Sequence, residues 1–156
     1  MTNDERTEID RLINIFLTGL GSISKDAGWE GDSLLSRVIQ FAGCPPMSSG
    51  YDKSNDSMIN AIRRLHRSNP DFPRIQSAVN AGLKFNYDKT IALLAKHYYQ
   101  GLSDIQDRAY TDQMRGMKVG QSHQVFRHNV NRSYEVIQGE LDRVDIYLAY
   151  HYASVA

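Results

Sequence analysis

Apolar residues spaced three or four positions apart fill the last third of the chain and form its clearest pattern. They are Val125, Phe126, Val130, Tyr134, Ile137, Leu141, Val144 and Leu148. This spacing places side chains along one face of an α-helix, whereas a half-buried strand would alternate at every second residue. No stretch of the chain shows such alternation, so the sequence predicts an all-α fold of about six or seven helices with a long helix at its C-terminal end.

The first helix is predicted over residues 4–20. Thr2 and Glu5 have the spacing of a capping box, in which each side chain accepts a hydrogen bond from the backbone of the other residue. Apolar residues then recur on one face. Gly19 and Gly21 are expected to end this helix, because glycine is a poor helix former.

A second helix is predicted over residues 33–42, followed by a loop of turn-forming residues at 45–55. Ser54 is placed to cap a third helix, which the pair Asn69 and Pro70 closes.

Pro73 fits the first turn of a short fourth helix, where its missing N–H is not needed. Asp88 is expected to cap a fifth helix. The residues of that helix predicted to face inward are Ile91, Leu94, Ala95 and Tyr98.

Composition favours one compact domain in a reducing compartment. The chain has 156 residues, of which 41% are apolar and 23% charged, as in ordinary globular proteins. We expect residues 1–86 to form an N-terminal helical part and residues 88–145 a second part of the same domain. The lone Cys44 allows no internal disulfide and no multi-cysteine zinc site. The acidic N-terminus does not resemble a secretory signal, so a cytoplasmic, membrane-free location is expected.

Charge is unevenly distributed, although the formal net charge is zero. Residues 1–61 carry five basic and nine acidic side chains, a net −4, and residues 135–156 carry one and four, a net −3. Residues 62–134 carry twelve basic and five acidic side chains, a net +7. A basic block of this kind is typical of a phosphate-facing surface, although a chance fluctuation on a solvated surface would look the same.

The basic block contains the elements of a helix-turn-helix, the arrangement in which one helix braces the fold and the next enters the major groove of DNA. Gly101 is expected to adopt the left-handed conformation that ends a helix. Leu102 then anchors a turn, and Ser103 caps the next helix. Ile105 and Ala109 would point inward, with Ala109 small enough to let the two helices approach closely.

Gly120 and Ser122 complete the pattern as a tight turn and as the cap of the long final helix. Ser103 and Ser122 are 19 positions apart, whereas a compact helix-turn-helix has about ten or eleven between its caps. Residues 111–121 are therefore predicted to be an inserted loop. Arg115 and Lys118 are expected to reach DNA phosphates from this loop.

Six polar side chains near the start of the final helix are predicted to face DNA, together with the capping residues Ser103 and Ser122. They are His123, Gln124, Arg127, His128, Asn131 and Arg132. Arginine can bind guanine with two hydrogen bonds, and glutamine or asparagine can pair with adenine. The alternative is a surface helix whose exposed face is polar without binding anything.

Three segments carry a resemblance to a known family. They are HYYQGLSDIQDRA at residues 97–109, SHQVFRHNV at 122–130 and VIQGEL at 136–141. Together they resemble the late-gene antiterminator Q proteins of lambdoid phages, in the small branch without zinc-binding cysteines. The likeness extends over roughly residues 30–142. The family's helix-turn-helix is similar to region 4 of bacterial sigma factors.

The resemblance implies a specific function without enzymatic activity or cofactor. Proteins of this family bind a DNA element near a phage late promoter and engage paused RNA polymerase that still holds its sigma factor. They then travel with polymerase and suppress pausing and termination by narrowing the RNA exit channel. The implied partners are duplex DNA and bacterial RNA polymerase in the host cytoplasm, and self-association on DNA is compatible with this function.

Two other functions fit the same residues. One is a conventional helix-turn-helix repressor or activator, which would usually be a symmetric dimer on a palindrome. The other is an α-helical protein-interaction module whose basic centre binds an acidic partner. A metal site is not expected, because His123 and His128 are five positions apart and point away from each other on a helix. The tyrosines near the C-terminus are expected to pack on the N-terminal helix, with an intermolecular interface as the alternative.

Overall fold

The computed structural model describes residues 1–26, 53–103 and 106–155. Within these ranges the chain forms six α-helices, and its extended backbone pairs only in one isolated bridge. The helices are α1 (Asn3–Asp26), α2 (Lys53–Ser68), α3 (Asp71–Phe85), α4 (Tyr87–Tyr98), α5 (Asp112–Lys118) and α6 (His123–Val155). The predicted all-α fold is therefore confirmed. No helix in this part of the chain combines the length and the apolar character that a membrane crossing needs.

Helix α1 begins as predicted and ends later than predicted. The backbone N–H of Thr2 donates to Glu5 Oε2 at 2.7 Å, and that of Glu5 donates to Thr2 Oγ1 at 3.2 Å, which completes the capping box. The helix continues to Asp26 because Gly19 is a contact position and not a terminator. A Cβ at Gly19 would lie 2.4 Å from Cε2 of Phe72, so the missing side chain lets α1 approach α3.

The other predicted boundaries lie within a few residues of those observed. Helix α2 starts at Lys53, inside the predicted 45–55 loop, and Pro73 lies in the first turn of α3 as expected. Helix α3 has 15 residues and is not short. The capping role of Asp88 is wrong, because α4 begins at Tyr87. The predicted helix at 33–42 and the loop up to residue 52 lie outside the described residues.

The core lies where α1, α3 and α4 pack against α6. Its largest fully buried side chains are Phe16, Phe72, Phe126, Ile9, Leu12, Ile13, Ile75, Ile91, Leu93, Leu94 and Ile137. Helix α4 is central, since every residue from Thr90 to Ala95 is buried. Each large apolar side chain in such a core stabilises the fold by about 1.5–3 kcal/mol relative to an exposed one. Of the four α4 residues predicted to face inward, only Tyr98 is partly exposed.

The apolar face of α6 belongs to the core over part of its predicted length. Five of the predicted residues are buried, namely Phe126, Val130, Tyr134, Ile137 and Leu141. Val125 and Leu148 are exposed, and Val144 is half-buried. Tyr147 and Tyr150 are also exposed, so the prediction that the C-terminal tyrosines pack on α1 is wrong for these two. Among the described residues, Asp145 still pairs with Arg74 of α3, with Arg74 Nε 2.7 Å from Asp145 Oδ1, whereas residues 146–150 are exposed.

A polar cluster joins α1, α4 and α6 at the edge of the core. The hydroxyl of Tyr134 donates to Asp10 Oδ1 at 2.6 Å, and His97 Nε2 lies 2.8 Å from the same oxygen. Lys96 Nζ donates to the Tyr134 hydroxyl at 3.1 Å. Burial lowers the pKa of His97, against the opposing effect of Asp10, and burial raises that of Tyr134. At neutral pH both side chains are uncharged donors to Asp10, which fixes how the three helices meet.

Candidate nucleic-acid interface

Residues 111–121, predicted to be an inserted loop, contain helix α5. The Thr111 side chain caps this helix by accepting a hydrogen bond from the Met114 backbone N–H at 3.3 Å. A helix of seven residues is too short to be stable by itself. It is stabilised by packing against α6, where Gly116 is buried. The loop prediction for 111–121 is therefore wrong.

A four-residue turn links α5 to α6. Gly120 has φ +72°, in the left-handed region that glycine favours, as predicted. The Gln121 N–H donates to the Gly116 carbonyl at 2.8 Å, and the Gly120 N–H donates to that of Met117 at 3.3 Å. These two bonds form a Schellman motif, which satisfies the last carbonyls of α5 and reverses the chain.

Ser122 caps α6, as the sequence predicts. Its side-chain oxygen accepts from the Val125 N–H at 3.3 Å, and its carbonyl accepts from the Phe126 N–H at 2.8 Å. The two capping residues Thr111 and Ser122 are 11 positions apart. This is the spacing of a compact helix-turn-helix. The extra length that was predicted with Ser103 as the first cap is absent when the first cap is Thr111.

Gly116 is the small residue that lets α5 and α6 approach each other. A Cβ at this position would lie 2.8 Å from the carbonyl oxygen of Gln121 and 3.1 Å from Cβ of Phe126. This role was predicted for Ala109, which is exposed. Two consecutive helices joined by a four-residue turn are thus present, but the first of them is α5.

The segment after α4 does not form the helix predicted from Ser103. Gly101 has the expected left-handed backbone, with φ +78°. Ser103 then pairs with Ala109 in an isolated antiparallel bridge, and Asp107 has φ +59°. The capping role of Ser103 and the inward orientation of Ala109 are wrong, and Ile105 lies outside the described residues. A Gly-Leu-Ser sequence suits a loop as well as a helix start.

The six polar residues predicted to face DNA are all exposed and spread over roughly half the circumference of α6, and we name them the polar stripe. They are His123, Gln124, Arg127, His128, Asn131 and Arg132. The buried residues Phe126, Val130 and Ile137 occupy the opposite side of the helix. Arg132 lies 3.6 Å from Glu135, and both side chains are more than half exposed, so this ion pair contributes little to stability.

Arg115 and Lys118 project from α5 with different exposure. Lys118 is exposed in the last turn. Arg115 has only 18% of its side chain exposed, and its Nη1 donates to Asp112 Oδ1 at 2.9 Å. Lys118 is therefore better placed to meet a phosphate than Arg115, which would first have to release Asp112.

A cleft of about 170 Å³ adjoins the polar stripe, and two of its residues, Lys96 and Asp112, were not predicted. It is lined by Lys96, Asp112, Phe126, Arg127, Val130 and Asn131. Lys96 comes from α4 and brings a second cation to the side of Arg127. A lysine in the last turn of a helix is common because it interacts favourably with the helix dipole, so its presence there does not indicate a position beside this cleft.

Gln121 fixes the turn onto the body of the protein. Its side-chain Nε2 donates to the backbone carbonyl of Asp88 at 2.9 Å, and its Oε1 accepts from Asn129 Nδ2 at 3.1 Å. Asn129 is buried. These bonds hold the start of α6 in a fixed orientation, which a residue pattern alone did not indicate.

The described residues contain no group of three or more histidine, cysteine, aspartate or glutamate side chains that could hold a metal ion. His123 and His128 are both exposed on the polar stripe. No protein-family model, curated protein or solved structure matches the chain.

Proposed function

We propose that this protein binds duplex DNA, with α5 bracing the start of α6 and the polar stripe entering the major groove. The observation that carries the proposal is the short helix α5 joined through the Gly120 turn to α6, with six exposed polar side chains near the start of α6. The width of the major groove admits one α-helix, and its base edges are read by side chains of these types.

The charge distribution supports DNA as the partner. The block of residues 62–134, which has net charge +7, includes α5 and the start of α6. Lys96 of α4 lines the cleft beside Arg127, together with Asp112, and Lys118 is exposed in the last turn of α5. Cations in this position release condensed counterions from the DNA backbone and so provide affinity independent of sequence.

Within this class we infer that the protein is a phage antiterminator. It would bind near a late promoter, engage paused RNA polymerase with its sigma factor, and suppress pausing and termination in the bacterial cytoplasm. The support is the resemblance of residues 97–109, 122–130 and 136–141 to the Q family. The 11-residue spacing between Thr111 and Ser122 also supports the proposal, because it is the cap-to-cap spacing of a compact helix-turn-helix, unlike the 19 positions counted from Ser103.

DNA binding is tested by titrating labelled duplex fragments with the protein at several salt concentrations. Arg127→Ala should weaken specific binding by about 1–3 kcal/mol and relax base preference at one position. Arg143→Ala is the matched control, since Arg143 is an exposed arginine on the same helix outside the polar stripe. Equal effects of the two substitutions would remove α6 from the recognition role. Binding that does not depend on salt would favour the protein-interaction module.

Phosphate contact is tested separately at Lys118. Lys118→Ala should weaken binding to all sequences alike and reduce the salt dependence by roughly one unit of slope. Arg115→Ala should change the slope less, because Arg115 is already paired with Asp112. An unchanged slope for Lys118→Ala would show that α5 faces away from the backbone.

Antitermination is tested by transcription through an intrinsic terminator downstream of the protein's own DNA site. The expected result is longer transcripts with the protein than without it. Arg127→Ala should abolish the effect on this template, and Arg143→Ala should not. Specific DNA binding without readthrough would assign the protein to the conventional repressors and activators.

A further inference from the structure

The last turns of α6 extend from the body of the protein with three large apolar side chains on one side. Ile146, Tyr147 and Tyr150 are 69%, 67% and 77% exposed. Tyr150 is four positions from Ile146 and three from Tyr147, and residues at both spacings are neighbours on the surface of a helix. These residues therefore form one apolar strip, which we name the tail stripe.

The tail stripe lies in a segment without charge. Asp145 is the last charged residue of the chain, and no aspartate, glutamate, lysine or arginine follows it. Beyond Asp145 a strongly acidic or basic partner would find no opposite charge. A second copy presents the same uncharged residues, so two tails that pair beyond Asp145 bring no like charges together. Tyrosine is enriched and charge is depleted at the centres of protein interfaces.

The exposed area is sufficient for a small symmetric interface. From the exposed fractions of Ile146, Tyr147 and Tyr150, each copy offers roughly 400 Å² of apolar surface, given about 150–250 Å² for a whole aromatic side chain. Two copies would bury roughly 800 Å². Homodimer interfaces are about 65% apolar. An interface that contains roughly 800 Å² of apolar surface would therefore bury about 1,200 Å² in total, which is the lower end of the range for stable specific complexes.

We propose that the tail stripe is a homodimer interface, in which two copies of α6 pack their C-terminal turns against each other about a twofold axis. A twofold axis uses the same short strip on both copies, so a strip of three side chains is enough. Dimerisation of this kind needs no DNA, because the tail stripe lies at the opposite end of α6 from His123.

The test is sedimentation equilibrium of the full chain without DNA, from about 1 to about 200 µM. We expect a monomer–dimer equilibrium with a dissociation constant in the micromolar range. The double variant Tyr147→Glu/Tyr150→Glu should raise this constant at least tenfold, because it places like charges across the axis. Tyr147→Phe/Tyr150→Phe keeps the apolar surface and should leave the constant within a factor of about three.

Phe85→Glu is the matched control, since Phe85 is 66% exposed but lies at the end of α3. It should leave the dissociation constant unchanged. Circular dichroism of each variant establishes that its helices are intact. A wild-type protein that stays monomeric over the whole range would overturn the proposal. So would assemblies larger than dimers, or an equal effect of Phe85→Glu and the double tyrosine variant.

DNA binding by the double tyrosine variant separates this proposal from the proposed function. Measured on a single half-site with protein well below the dimer dissociation constant, its affinity should equal that of the wild type. On a site with two inverted copies, the wild type should bind more tightly and the variant should lose that advantage. Loss of binding to the single half-site would place the tail stripe at the DNA surface, against the dimer proposal.

Discussion

Two neighbouring segments, residues 103–109 and 111–122, have similar signals in the sequence and different structures. Both start with a hydroxyl side chain suited to capping a helix, Ser103 and Thr111, and both have a glycine close by. Only the second forms a helix, α5, followed by the turn into α6. In the first, Ser103 pairs with Ala109 in an isolated bridge, and residues 106–109 are not helical.

The difference lies in what each segment packs against. Gly116 of α5 is buried in contact with α6, and the Gln121 side chain ties the following turn to α4. Leu102 and Ala109, by contrast, are exposed. A capping residue contributes only about 1 kcal/mol, which cannot form a short helix without tertiary contacts. Local signals at this length thus indicate where a helix can begin, and burial determines whether it forms.

The largest effect is expected at Gly116. Gly116→Val places a branched side chain where even a Cβ would lie 2.8 Å from a backbone oxygen, and should lower the free energy of unfolding by about 2–3 kcal/mol. Denaturant titration measures this value. Gly139→Ala is the control, since a Cβ at Gly139 meets nothing within 4 Å, and it should raise stability by up to about 1 kcal/mol. If Gly116→Val is neutral, α5 does not pack closely on α6.

A smaller effect is expected at the two capping residues of the motif. Thr111→Ala and Ser122→Ala each remove a side-chain acceptor of a backbone N–H and should cost about 1 kcal/mol. Ser103→Ala should cost less than about 0.5 kcal/mol, because no helix depends on it. The same denaturant titrations compare the three variants. A larger loss at Ser103 than at Thr111 would reverse the assignment of the first helix.

The smallest effect is expected at Ala109. Ala109→Val adds two methyl groups at an exposed position, and should change the free energy of unfolding by less than about 0.5 kcal/mol. If Ala109 were the small residue between two packed helices, the same substitution would destabilise the protein by about 1–3 kcal/mol. Thermal and denaturant unfolding of this single variant therefore discriminate between the two placements of the motif.

The long elements of the fold could be predicted from the sequence because each carries several independent signals. The capping box of Thr2 and Glu5 predicted the start of α1, and the apolar spacing of α6 predicted both its buried face and its polar stripe. Helix α5 was missed because seven residues contain too few turns for an apolar period to be recognised.

Glycines were the other source of error. Gly120 has a left-handed backbone and was predicted correctly, whereas a Cβ would meet Phe72 of α3 at Gly19, and the Gln121 carbonyl oxygen and Phe126 at Gly116. Whether a neighbouring helix packs closely against a glycine depends on a residue far away in the sequence, such as Phe72 for Gly19. A pattern of neighbouring residues cannot distinguish the two roles. The same is true of Lys96 at the cleft, whose position depends on how α4 meets α6.

Helix α6 is one continuous element of 33 residues, roughly 50 Å long at 1.5 Å per residue. It contains no proline and a single glycine, Gly139, so nothing in its sequence favours a sharp bend. The helix therefore fixes both the separation and the angular phase of the polar stripe and the tail stripe. One residue inserted after Leu141 would rotate the tail stripe by about 100° relative to the polar stripe, whereas seven would nearly restore its phase while lengthening the helix by about two turns.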